Sequence, residues 1–396
     1  MGRTIYGEGP KDAKIYIYGE APGQQEEFQG RPFVGGAGKI LDGLLQETGI
    51  KRSECYIDNV IQERPPGNNF NVHYKDKSRR EPTEYLMGRW TQLRKEVAQR
   101  RPNVVIALGE EAMRALTGKR HITKWRGSLI GCEGVKVIPI IHPAAVMRQW
   151  EFRPMCIFDL TRAKAHALTP AFPPPKNDRF IINPTYDEIF MYIEMLKRKE
   201  YISFDIETDR KQIMCMGLGW SKSSAVCIPI FYGTSSWWNA SQEKAIILAM
   251  KELFANPKIK FIAQNAQYDM VYMKDLWGIE VRNLWMDTMI AQHCVYPELP
   301  KGLAFLCSIY TDRPYYKGMS SSGSSPETLW TYNCLDAVTT WEVAMALEKE
   351  MEEFGTSQFY WNHSHKLIKR DMAHKVPFLS SKRDFTGPGA IPSSVE

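Results

Sequence analysis

Short apolar runs alternate with amphipathic stretches along residues 1–168. The runs KIYIYGE, CYIDNVI, VVIALG and VKVIPIIHP have the length of buried strands, whereas AGKILDGLLQETG and Glu84–Arg100 repeat apolar residues at helical spacing. This alternation predicts an α/β domain with a parallel sheet and helices on both faces. Polar residues that follow the strands should lie at the carboxyl edge of the sheet, where such folds bind ligands.

A proline-rich segment, HALTPAFPPPKNDRF, interrupts this pattern. Its three consecutive prolines lack backbone donors and stiffen the chain, so neither helix nor sheet can continue through it. We therefore predict a linker at 169–178. It separates a domain at 1–168 from a second domain at 179–352.

The strand pattern restarts at Tyr201 with three β-rich runs, YISFDIE, MCMGLGW and AVCIPI, which are close together as in a meander. A helix, the run IKFIAQN and mostly helical sequence follow, to about Glu353. The pattern predicts a second α/β domain, this time with a mixed sheet. Residues 353–396 should form a helix and a tail that is rich in Gly, Pro and Ser from Ser380 and that we expect to be disordered.

The length and composition fit a globular protein of more than one domain. The chain has 396 residues, of which 43% are hydrophobic and 24% charged, so disorder over most of its length is excluded. No apolar run approaches the ~20 residues needed to span a bilayer, and the opening MGRTIYGEGPKDAK lacks the apolar core of a signal peptide. We therefore expect no membrane partner and a location in the cytoplasm of a bacterium or a phage-infected cell.

Positive charge is concentrated in the first domain. Residues 1–170 contain 27 Lys and Arg against 19 Asp and Glu, whereas the remaining residues contain 24 against 26. A basic surface of this kind suits contact with the phosphates of a nucleic acid.

The eight cysteines occur singly, with no Cys-x-x-Cys pair. This spacing is not that of a zinc site or a disulfide framework, so we predict reduced thiols in the core. The positions are 55, 132, 156, 215, 227, 294, 307 and 334.

Acidic residues in three separate segments of the second domain form a pattern typical of a metal site. In SFDIET, Asp205 and Glu207 are two residues apart on a strand, so both side chains project from one face. FIAQNAQYDM has Asp269 just after a strand, and TYNCLDAVTTWEV has Tyr332 and Asp336 at i and i+4 of a helix. Carboxylates gathered in this way fit a two-metal site for phosphoryl transfer, because hard divalent ions take oxygen ligands.

The three segments resemble, over about 178–350, the motifs of the DnaQ-like (DEDD) 3′-5′ exonucleases. The resemblance is to the subclass with a tyrosine in the third motif, as in the proofreading domain of family A DNA polymerases, and it implies an RNase H-like mixed-sheet fold. It implies two Mg²⁺ or Mn²⁺ ions, with Asp205 bridging both. Glu207 and Asp336 would complete the nucleophile-side ion, Asp269 would hold the second ion through water, and Tyr332 would orient the attacking water.

Two further residues near these motifs have structural interpretations. Asn265 precedes the second motif and should shape its turn. Asp287, in WMDTMIAQ, recurs in such domains, and we interpret it as a helix cap.

A glycine-rich segment, GEAPGQQEEFQGRPFVGGAGKILDGLL, follows the first predicted strand. Its glycines let the backbone approach a ligand, and the helix beginning near Gly36 offers free amides. With YIDNVIQERPPGN, ALGEEAMRALTG, WRG and IIHPAAVMR, it resembles the family 4 uracil-DNA glycosylases over about 9–165. The resemblance implies a parallel-sheet sandwich that accepts one extruded base.

The resemblance also implies a role for each of several residues. Phe33 would stack on the flipped base, and Asn59 would hydrogen-bond the polar edge of uracil. His142 would donate to the uracil oxygen on which negative charge builds, and Glu20 would position water or stabilise the cationic sugar. The backbone from Ala21 to Gly23 would line the pocket.

A long loop at about 68–81, NNFNVHYKDKSRRE, departs from the family pattern. We expect it to contact phosphates, with His73 simply solvated; in a related branch of the superfamily a histidine in a comparable loop bonds to the sugar, which leaves covalent trapping as an alternative. The DNA-contacting residues that we predict are Lys75, Lys77, Arg79, Arg80 and Arg148.

A second departure from the family pattern is that this chain lacks the four cysteines that hold an iron–sulfur cluster in family 4 enzymes. Glu63 stands before RPPGN, and the later ligand position falls near Gly88. The remaining cysteines of this domain do not fit the spacing, so we predict no cluster.

Together these patterns predict an enzyme of DNA repair or replication that excises uracil and trims single-stranded 3′ ends of DNA. A non-cleaving uracil-binding module that targets an active exonuclease is an alternative. Because HSHKLIKRDMAHKVPF resembles the junction to a polymerase domain, a second alternative is the N-terminal fragment of a family A DNA polymerase, and a polymerase is a candidate partner.

Overall fold

The chain divides into two compact units. The computed structural model describes residues 3–174, 176–209, 211–319 and 325–371. The N-terminal unit comprises Met1–Pro174 with Asp312–Tyr315, and the C-terminal unit comprises Pro175–Thr311 with Tyr316–Glu396. Within the described ranges, no helix has both the length and the apolarity needed to cross a bilayer.

The N-terminal unit is built on a five-stranded sheet with strand order β2-β1-β3-β5-β4. The first four strands in this order are parallel. Every residue of β3 is buried, as expected for a parallel strand covered on both faces. The strands are β1 (Ile15–Gly19), β2 (Cys55–Asn59), β3 (Val104–Leu108), β4 (Ile130–Cys132) and β5 (Val135–Ile140).

The strand β4 was not predicted by the alternating pattern. It pairs antiparallel with β5 at the edge of the sheet. Glu133 and Gly134 join the two strands with φ of 50° and 78°. Two consecutive positive φ values are typical of the tight turns that match the twist of a hairpin.

Seven α-helices lie in the described part of this unit, and two of them, the third and the sixth, begin after a residue whose side chain caps the helix. The Thr83 side chain accepts from the Leu86 amide where the long third helix begins. The helices are α1 (Gln24–Gln29), α2 (Gly36–Glu47), α3 (Glu84–Arg100), α4 (Gly109–Thr117), α5 (Ile122–Trp125), α6 (Pro143–Arg148) and α7 (Phe152–His166).

The C-terminal unit has a six-stranded mixed sheet with strand order β13-β12-β7-β8-β9-β6. Its central strands β7, β8 and β9 form an antiparallel meander, whereas β12 and β13 continue it in parallel. A separate ribbon is formed by β10 and β11. The strands are β6 (Arg179–Ile181), β7 (Tyr201–Asp209), β8 (Gln212–Ser221), β9 (Ser224–Pro229), β10 (Phe231–Tyr232), β11 (Ser235–Ser236), β12 (Lys260–Ala263) and β13 (Leu284–Asp287).

One long helix, α13, packs across β7, β8 and β9. Its small and apolar residues meet Cys215 and Cys227 of the sheet in a buried cluster. All eight cysteines are free thiols, seven of them buried, in agreement with their prediction as core residues. The helices are α8 (Tyr186–Leu196), α9 (Ala240–Phe254), α10 (Ala266–Trp277), α11 (Thr288–Val295), α12 (Leu303–Tyr310), α13 (Pro326–Glu353), α14 (Ser357–Phe359) and α15 (His365–Asp371).

The fold class is therefore α/β in both units, with a mainly parallel sheet followed by a mixed one, and the prediction from the sequence is confirmed. The predicted boundary segment 169–178 contains the division between Pro174 and Pro175. The tail predicted from Ser380 onward lies outside the described residues.

Candidate active sites

Two carboxylates of the C-terminal unit come from one strand. Asp205 and Glu207 lie on β7 opposite Gly217 and Cys215 of β8. Asp205 is 4% exposed and Glu207 is half-buried, so both side chains are partly withdrawn from water.

Helix α13 adds a third carboxylate to this pair. Asp205, Glu207 and Asp336 each contribute one carboxylate oxygen to a group whose atoms lie within 4.8 Å of one another. Burial, together with the nearby Asp205, raises the pKa of Asp336 above its usual value, although Lys317 opposes the rise. Three carboxylates this close repel one another unless a cation is present, and hard oxygen donors suit Mg²⁺ or Mn²⁺.

Asp269 lies beside the pair on β7 but is not a member of the three-carboxylate group. It is fully buried in the first turn of α10, and its Oδ1 accepts a hydrogen bond of 3.3 Å from the amide of Ile206. Ile206 stands between Asp205 and Glu207, so the second predicted motif is anchored to the first. The sequence analysis predicted that Asp269 would lie near Asp205 and Glu207.

A lysine that the sequence analysis did not select contacts the third motif. Lys317 Nζ donates to the Tyr332 hydroxyl at 2.8 Å and to both carboxylate oxygens of Asp336, at 2.6 and 2.5 Å. The preceding Tyr316 donates its hydroxyl to Asp336 Oδ1 at 2.7 Å. Both residues lie outside the helices and strands, between α12 and α13, where no periodic pattern could have indicated them.

Asn333 is a second residue that the sequence analysis missed. Its side-chain amide donates to Asp205 Oδ2 at 2.9 Å and to the Asp205 carbonyl oxygen at 3.1 Å. Its Oδ1 accepts from the Cys227 thiol at 3.4 Å. Because Asn333 lies between Tyr332 and Asp336 in the sequence, its place inside the motif was an available signal.

Asp287 caps α11 and also supports the turn before Asp269. Its Oδ1 accepts from the amides of Met289 and Asn265, and its Oδ2 accepts from the amide of Ala266. Asn265 has the left-handed φ of 58° at the start of α10. The helix-cap interpretation of Asp287 is confirmed, and burial raises the pKa of this carboxyl to about 6.

A second candidate site lies at the carboxyl ends of β1 and β2. Gly19 and Asn59 are paired where these strands end. A methyl group on Gly19 would lie 2.5 Å from Asn59 Oδ1 and would collide with the ring of Phe33. The ring centroids of Phe33 and His142 are 6.0 Å apart, with planes inclined by 32°. The structure therefore brings together three of the predicted uracil-binding side chains.

Phe33 is held in an unusual backbone conformation. It is 6% exposed and has a φ of 53°, in the left-handed region that few large residues adopt. Arg52 donates to the carbonyl oxygens of Pro32 at 2.8 Å and Phe33 at 3.2 Å. Such strain persists where surrounding contacts enforce it, and it is found mainly at functional sites.

The tautomer of His142 follows from its position as the N-cap of α6. Its Nδ1 accepts a hydrogen bond of 3.1 Å from the amide of Ala144. An accepting Nδ1 requires the proton of a neutral imidazole to be on Nε2. Burial, with Arg148 adding to it, lowers the pKa of His142 to about 4. Near pH 7 the ring is thus a neutral Nε2–H donor.

Glu20 directly follows β1 and is half-buried. Burial first, and the nearby Glu111 second, raise its pKa to about 7, whereas Arg79 and Arg148 act in the opposite direction. The carboxyl is therefore poised to ionise near neutral pH.

Glu26 connects the backbone at Gly23 with the backbone at Val34 and Gly35. The sequence analysis did not select this residue. Its Oε2 accepts from the Gly23 amide at 3.1 Å, and its Oε1 accepts from the amides of Val34 and Gly35 at 3.0 and 2.8 Å. It therefore fixes the backbone that includes Ala21 and Gly23 relative to the segment after Phe33. The signal that the sequence offered is a capping-box spacing, because Glu26 is the third residue of α1 and lies three residues after Gly23.

The basic loop at 68–81 is partly folded onto α4. Arg79 donates to Glu111 at 3.0 Å and to Asn71 at 2.6 Å, so its charge is already paired. Arg114 Nη2 donates to the carbonyl oxygen of Arg80 at 3.0 Å. The remaining predicted DNA-contacting side chains are exposed, namely Lys75, Lys77, Arg80 and Arg148.

His73 is not simply solvated, and that expectation is wrong. Its ring stacks on Tyr85 with centroids 5.5 Å apart and meets Phe70 edge-on at 5.1 Å. Burial lowers its pKa. His73 is partly buried because it packs against Phe70, which belongs to the hydrophobic core.

Two family models match the chain, and each covers one of the two candidate sites. The model described as uracil DNA glycosylase superfamily matches residues 6–162, and the model described as 3′-5′ exonuclease matches residues 181–352. The type-4 uracil-DNA glycosylase of Thermotoga maritima is 38% identical over 175 residues, which are 42% of this chain and 84% of that protein. The type-4 enzyme of Archaeoglobus fulgidus is 36% identical over 159 residues, 38% of this chain and 74% of that protein.

A DNA polymerase of Bacillus phage SP01 is 26% identical over 317 residues, 73% of this chain and 33% of the polymerase. The aligned stretch is longer than either family match, so the similarity includes parts of both units. The chain spans about a third of that polymerase.

Solved structures show a partial likeness. The catalytic core of RRP6 from Trypanosoma brucei has a TM-score of 0.41 at 15% identity, covering 50% of this chain and 54% of that one. RNase D of Escherichia coli has a TM-score of 0.38 at 16% identity, covering 50% and 52%.

A polar site at the carboxyl ends of a parallel sheet and a carboxylate cluster beside a mixed sheet are the two candidate sites of an enzyme class that processes nucleic acids. The chain belongs to the uracil-DNA glycosylase superfamily through its N-terminal unit, with type-4 enzymes among its similar relatives, and its C-terminal unit is a 3′-5′ exonuclease domain. Both resemblances inferred from the motifs are confirmed.

Proposed function

We propose that the protein excises uracil from DNA and also removes nucleotides from DNA 3′ ends with the aid of divalent metal ions. The observation that carries the nuclease half is the convergence of Asp205, Glu207 and Asp336 within 4.8 Å beside Tyr332. The proposed domains are 1–168 for excision and 179–352 for the exonuclease, with 169–178 as the linker and 353–396 as the segment that follows.

The residues of the exonuclease site fit two hard cations. Asp205, Glu207 and Asp336 would hold one ion, and Asp205 with Asp269 would hold the other. Bound Mg²⁺ or Mn²⁺ would lower the pKa of a bound water and offset the charge of the phosphate. The Tyr332 hydroxyl would orient that water, because its ring lies one helical turn from Asp336 on the same face of α13.

In the excision site, the side chains would bind and polarise one extruded uracil. Phe33 would stack on the base, and Asn59 would hydrogen-bond its polar edge. The neutral Nε2–H of His142 would donate to the uracil oxygen as the bond to the sugar breaks, which stabilises the departing anion. The ionised Glu20 would then stabilise the cationic sugar or orient water, with the backbone from Ala21 to Gly23 lining the pocket.

DNA backbone contact and a polymerase association complete the proposal. The exposed Lys75, Lys77, Arg80 and Arg148 would contact phosphates, with Arg79 supporting the loop through Glu111. The similarity to a phage DNA polymerase across both units supports work beside a polymerase, within the same chain or as a separate protein. We also propose that the excision domain functions without an iron–sulfur cluster, and absorbance near ~400 nm with bound iron in the purified protein would contradict this.

One gel experiment separates the two activities. A 5′-labelled oligonucleotide with a single central uracil, single-stranded or duplex, is incubated with protein in EDTA or in Mg²⁺ or Mn²⁺, and each product is divided for alkali treatment. We expect alkali-dependent breakage at the uracil in EDTA, and a ladder shortened from the 3′ end when metal is present.

Two variants serve as reciprocal controls. Asp205→Ala should keep the alkali-dependent product and lose the ladder, whereas Asn59→Ala should lose the product and keep the ladder. A ladder that persists in Asp205→Ala would remove the nuclease assignment. If no alkali-dependent product forms but a gel shift is specific for uracil, the N-terminal unit is a binding module that targets the nuclease.

A further inference from the structure

An ammonium group is directed at the oxygens that the proposed metal site needs. Lys317 Nζ lies 2.6 and 2.5 Å from the two oxygens of Asp336 and 2.8 Å from the Tyr332 hydroxyl. The side chains of Lys317 and Asp336 are 18% and 5% exposed, so this ion pair is largely shielded from solvent. The contact therefore belongs to the interior of the site rather than to its surface.

The position of Lys317 is set by the residue before it. The Tyr316 hydroxyl donates to Asp336 Oδ1 at 2.7 Å, and the Tyr316 side chain is itself buried. Two consecutive residues of the segment between α12 and α13 therefore bind one carboxylate, which restricts where the ammonium can go. Lys317 also lies 4.7 Å from the centre of the Tyr332 ring, within the range of a cation–π contact.

A divalent ion and this ammonium compete for one carboxylate, because Tyr316 and Lys317 together already use three of the roughly four acceptor sites of Asp336. Mg²⁺ takes carboxylate oxygens at about 2.0–2.1 Å, so an ion bound by Asp336 must share oxygens that now accept from Lys317. Two cations on one shielded carboxylate also repel each other, because the screening by water is weak there. Because one site remains free and the two cations repel, we expect an ion bound at Asp336 to displace the ammonium of Lys317.

We propose that Lys317 is a built-in competitor for the metal: its ammonium neutralises the acidic cluster when no ion is bound and is displaced from Asp336 when one binds. This inference rests on the proposed metal site. It has two consequences. The cluster is stable without metal, because Lys317 offsets part of the repulsion among the acids, and the affinity for metal is lower than the three carboxylates alone would give.

The test measures metal binding directly. Mn²⁺ affinity of the full chain is measured by titration calorimetry for the wild type, Lys317→Met, Lys317→Arg and the exposed-lysine control Lys258→Met. We expect Lys317→Met to bind Mn²⁺ roughly tenfold more tightly, the size of effect that the loss of one shielded competing charge allows. Lys317→Arg and Lys258→Met should bind as the wild type does. Unchanged or weaker binding by a folded Lys317→Met protein would overturn the inference.

A second measurement uses the unaltered protein, in case Lys317→Met does not fold. Lysines are acetylated with a brief pulse of acetic anhydride with and without saturating Mn²⁺, and labelling of Lys317 is quantified by mass spectrometry against Lys258. Labelling of Lys317 should rise severalfold with Mn²⁺, and not in Asp205→Asn. Labelling that stays constant in a protein that binds Mn²⁺ would contradict the displacement, whereas a wild type that binds no Mn²⁺ would instead contradict the proposed metal site.

Discussion

The side-chain amide of Asn333 donates a hydrogen bond of 2.9 Å to Oδ2 of Asp205, the acid on which the proposed metal site depends most. The same amide also donates to the Asp205 carbonyl oxygen, and its oxygen accepts from the thiol of Cys227. With both ends of the amide engaged, its orientation is determined. Asn333 is therefore a positioning residue that holds the Asp205 carboxylate in place from the core of the domain.

Replacing Asn333 with leucine should impair the nuclease without unfolding it. Leucine has a similar size but cannot donate, so Asp205 would lose its support, and we expect kcat to fall roughly 10- to 100-fold, as for other outer-shell partners of metal ligands. Excision of uracil by the same preparation, measured in EDTA, serves as the control for folding. A kcat equal to that of the wild type would show that Asp205 is positioned without this amide.

Gly217→Ala should destabilise the C-terminal unit. An added Cβ would lie 2.7 Å from Asn333 Oδ1 and 2.8 Å from its carbonyl oxygen, closer than such contacts allow. We expect a loss of about 1–3 kcal/mol in the free energy of unfolding, measured by denaturant titration, and a slower nuclease. Gly302→Ala is the matched control because nothing lies within 4 Å of its added Cβ. Equal stability of the two variants would contradict the close approach of α13 to β8.

The pH dependence of uracil excision should follow Glu20. Its pKa is raised to about 7, so the carboxyl is protonated below that pH and ionised above it. If the ionised form acts, the rate measured in EDTA rises as the pH increases through about 7. His142 has a pKa of about 4 and remains neutral throughout that range. Glu20→Gln should be slow and should lack this rise; a rise that persists in Glu20→Gln would assign it to another group.

Glu111→Gln should move the same rise to lower pH. Removing the charge of Glu111 removes one cause that raises the pKa of Glu20, and it releases Arg79, which acts to lower that pKa. Both effects have the same sign. The measurement is the midpoint of the pH–rate profile of the variant beside that of the wild type, and a midpoint that moves upward would contradict the arrangement.

Glu26→Ala should weaken both the pocket and the stability of the N-terminal unit. The change leaves the amides of Gly23, Val34 and Gly35 without their carboxylate, at a cost of about 3 kcal/mol. Phe33 would then lose its fixed position, so KM for uracil-containing DNA should rise while the nuclease is retained. Glu27→Ala, which removes only a half-exposed pair with Arg64, should cost about 0–1 kcal/mol. Equal effects of the two changes would rule out the proposed role of Glu26.

The elements could be predicted from the sequence because each depends on neighbouring residues. The apolar runs of β1, β2, β3 and β5 and the helical period of α3 are local signals, and all five elements are present. The strand β4 was missed, because three residues at a sheet edge are too short to carry a period. The short strands β6, β10, β11 and β13 of the C-terminal unit were missed for the same reason. The motif acids were found for the same reason, since i, i+2 on a strand and i, i+4 on a helix are fixed by backbone geometry.

The supporting residues could not be predicted in this way. Lys317 reaches Asp336 from outside the helices and strands, and Glu26 binds amides up to nine residues away around a turn. Lys317 has neither a period nor a neighbouring partner in the sequence, so its contact exists only after the chain has folded. The bond from Glu26 to Gly23 is local, but its bonds to Val34 and Gly35 also depend on the folded turn. Asn333 is intermediate, because its place within the third motif is visible but its partner Asp205 is 128 residues away.

The amino-acid sequence by itself thus determined the two α/β domains and the spacing of the motif acids, since these follow from local patterns. The side chains predicted to bind a base came from the resemblance to a known family. Only the tertiary structure decided the electrostatics: which carboxylate Lys317 neutralises, which nitrogen of His142 carries its proton, and that Arg79 is paired with Glu111. The physical reason is that charge interactions and desolvation depend on distance and burial in space, which the order of residues along the chain does not specify.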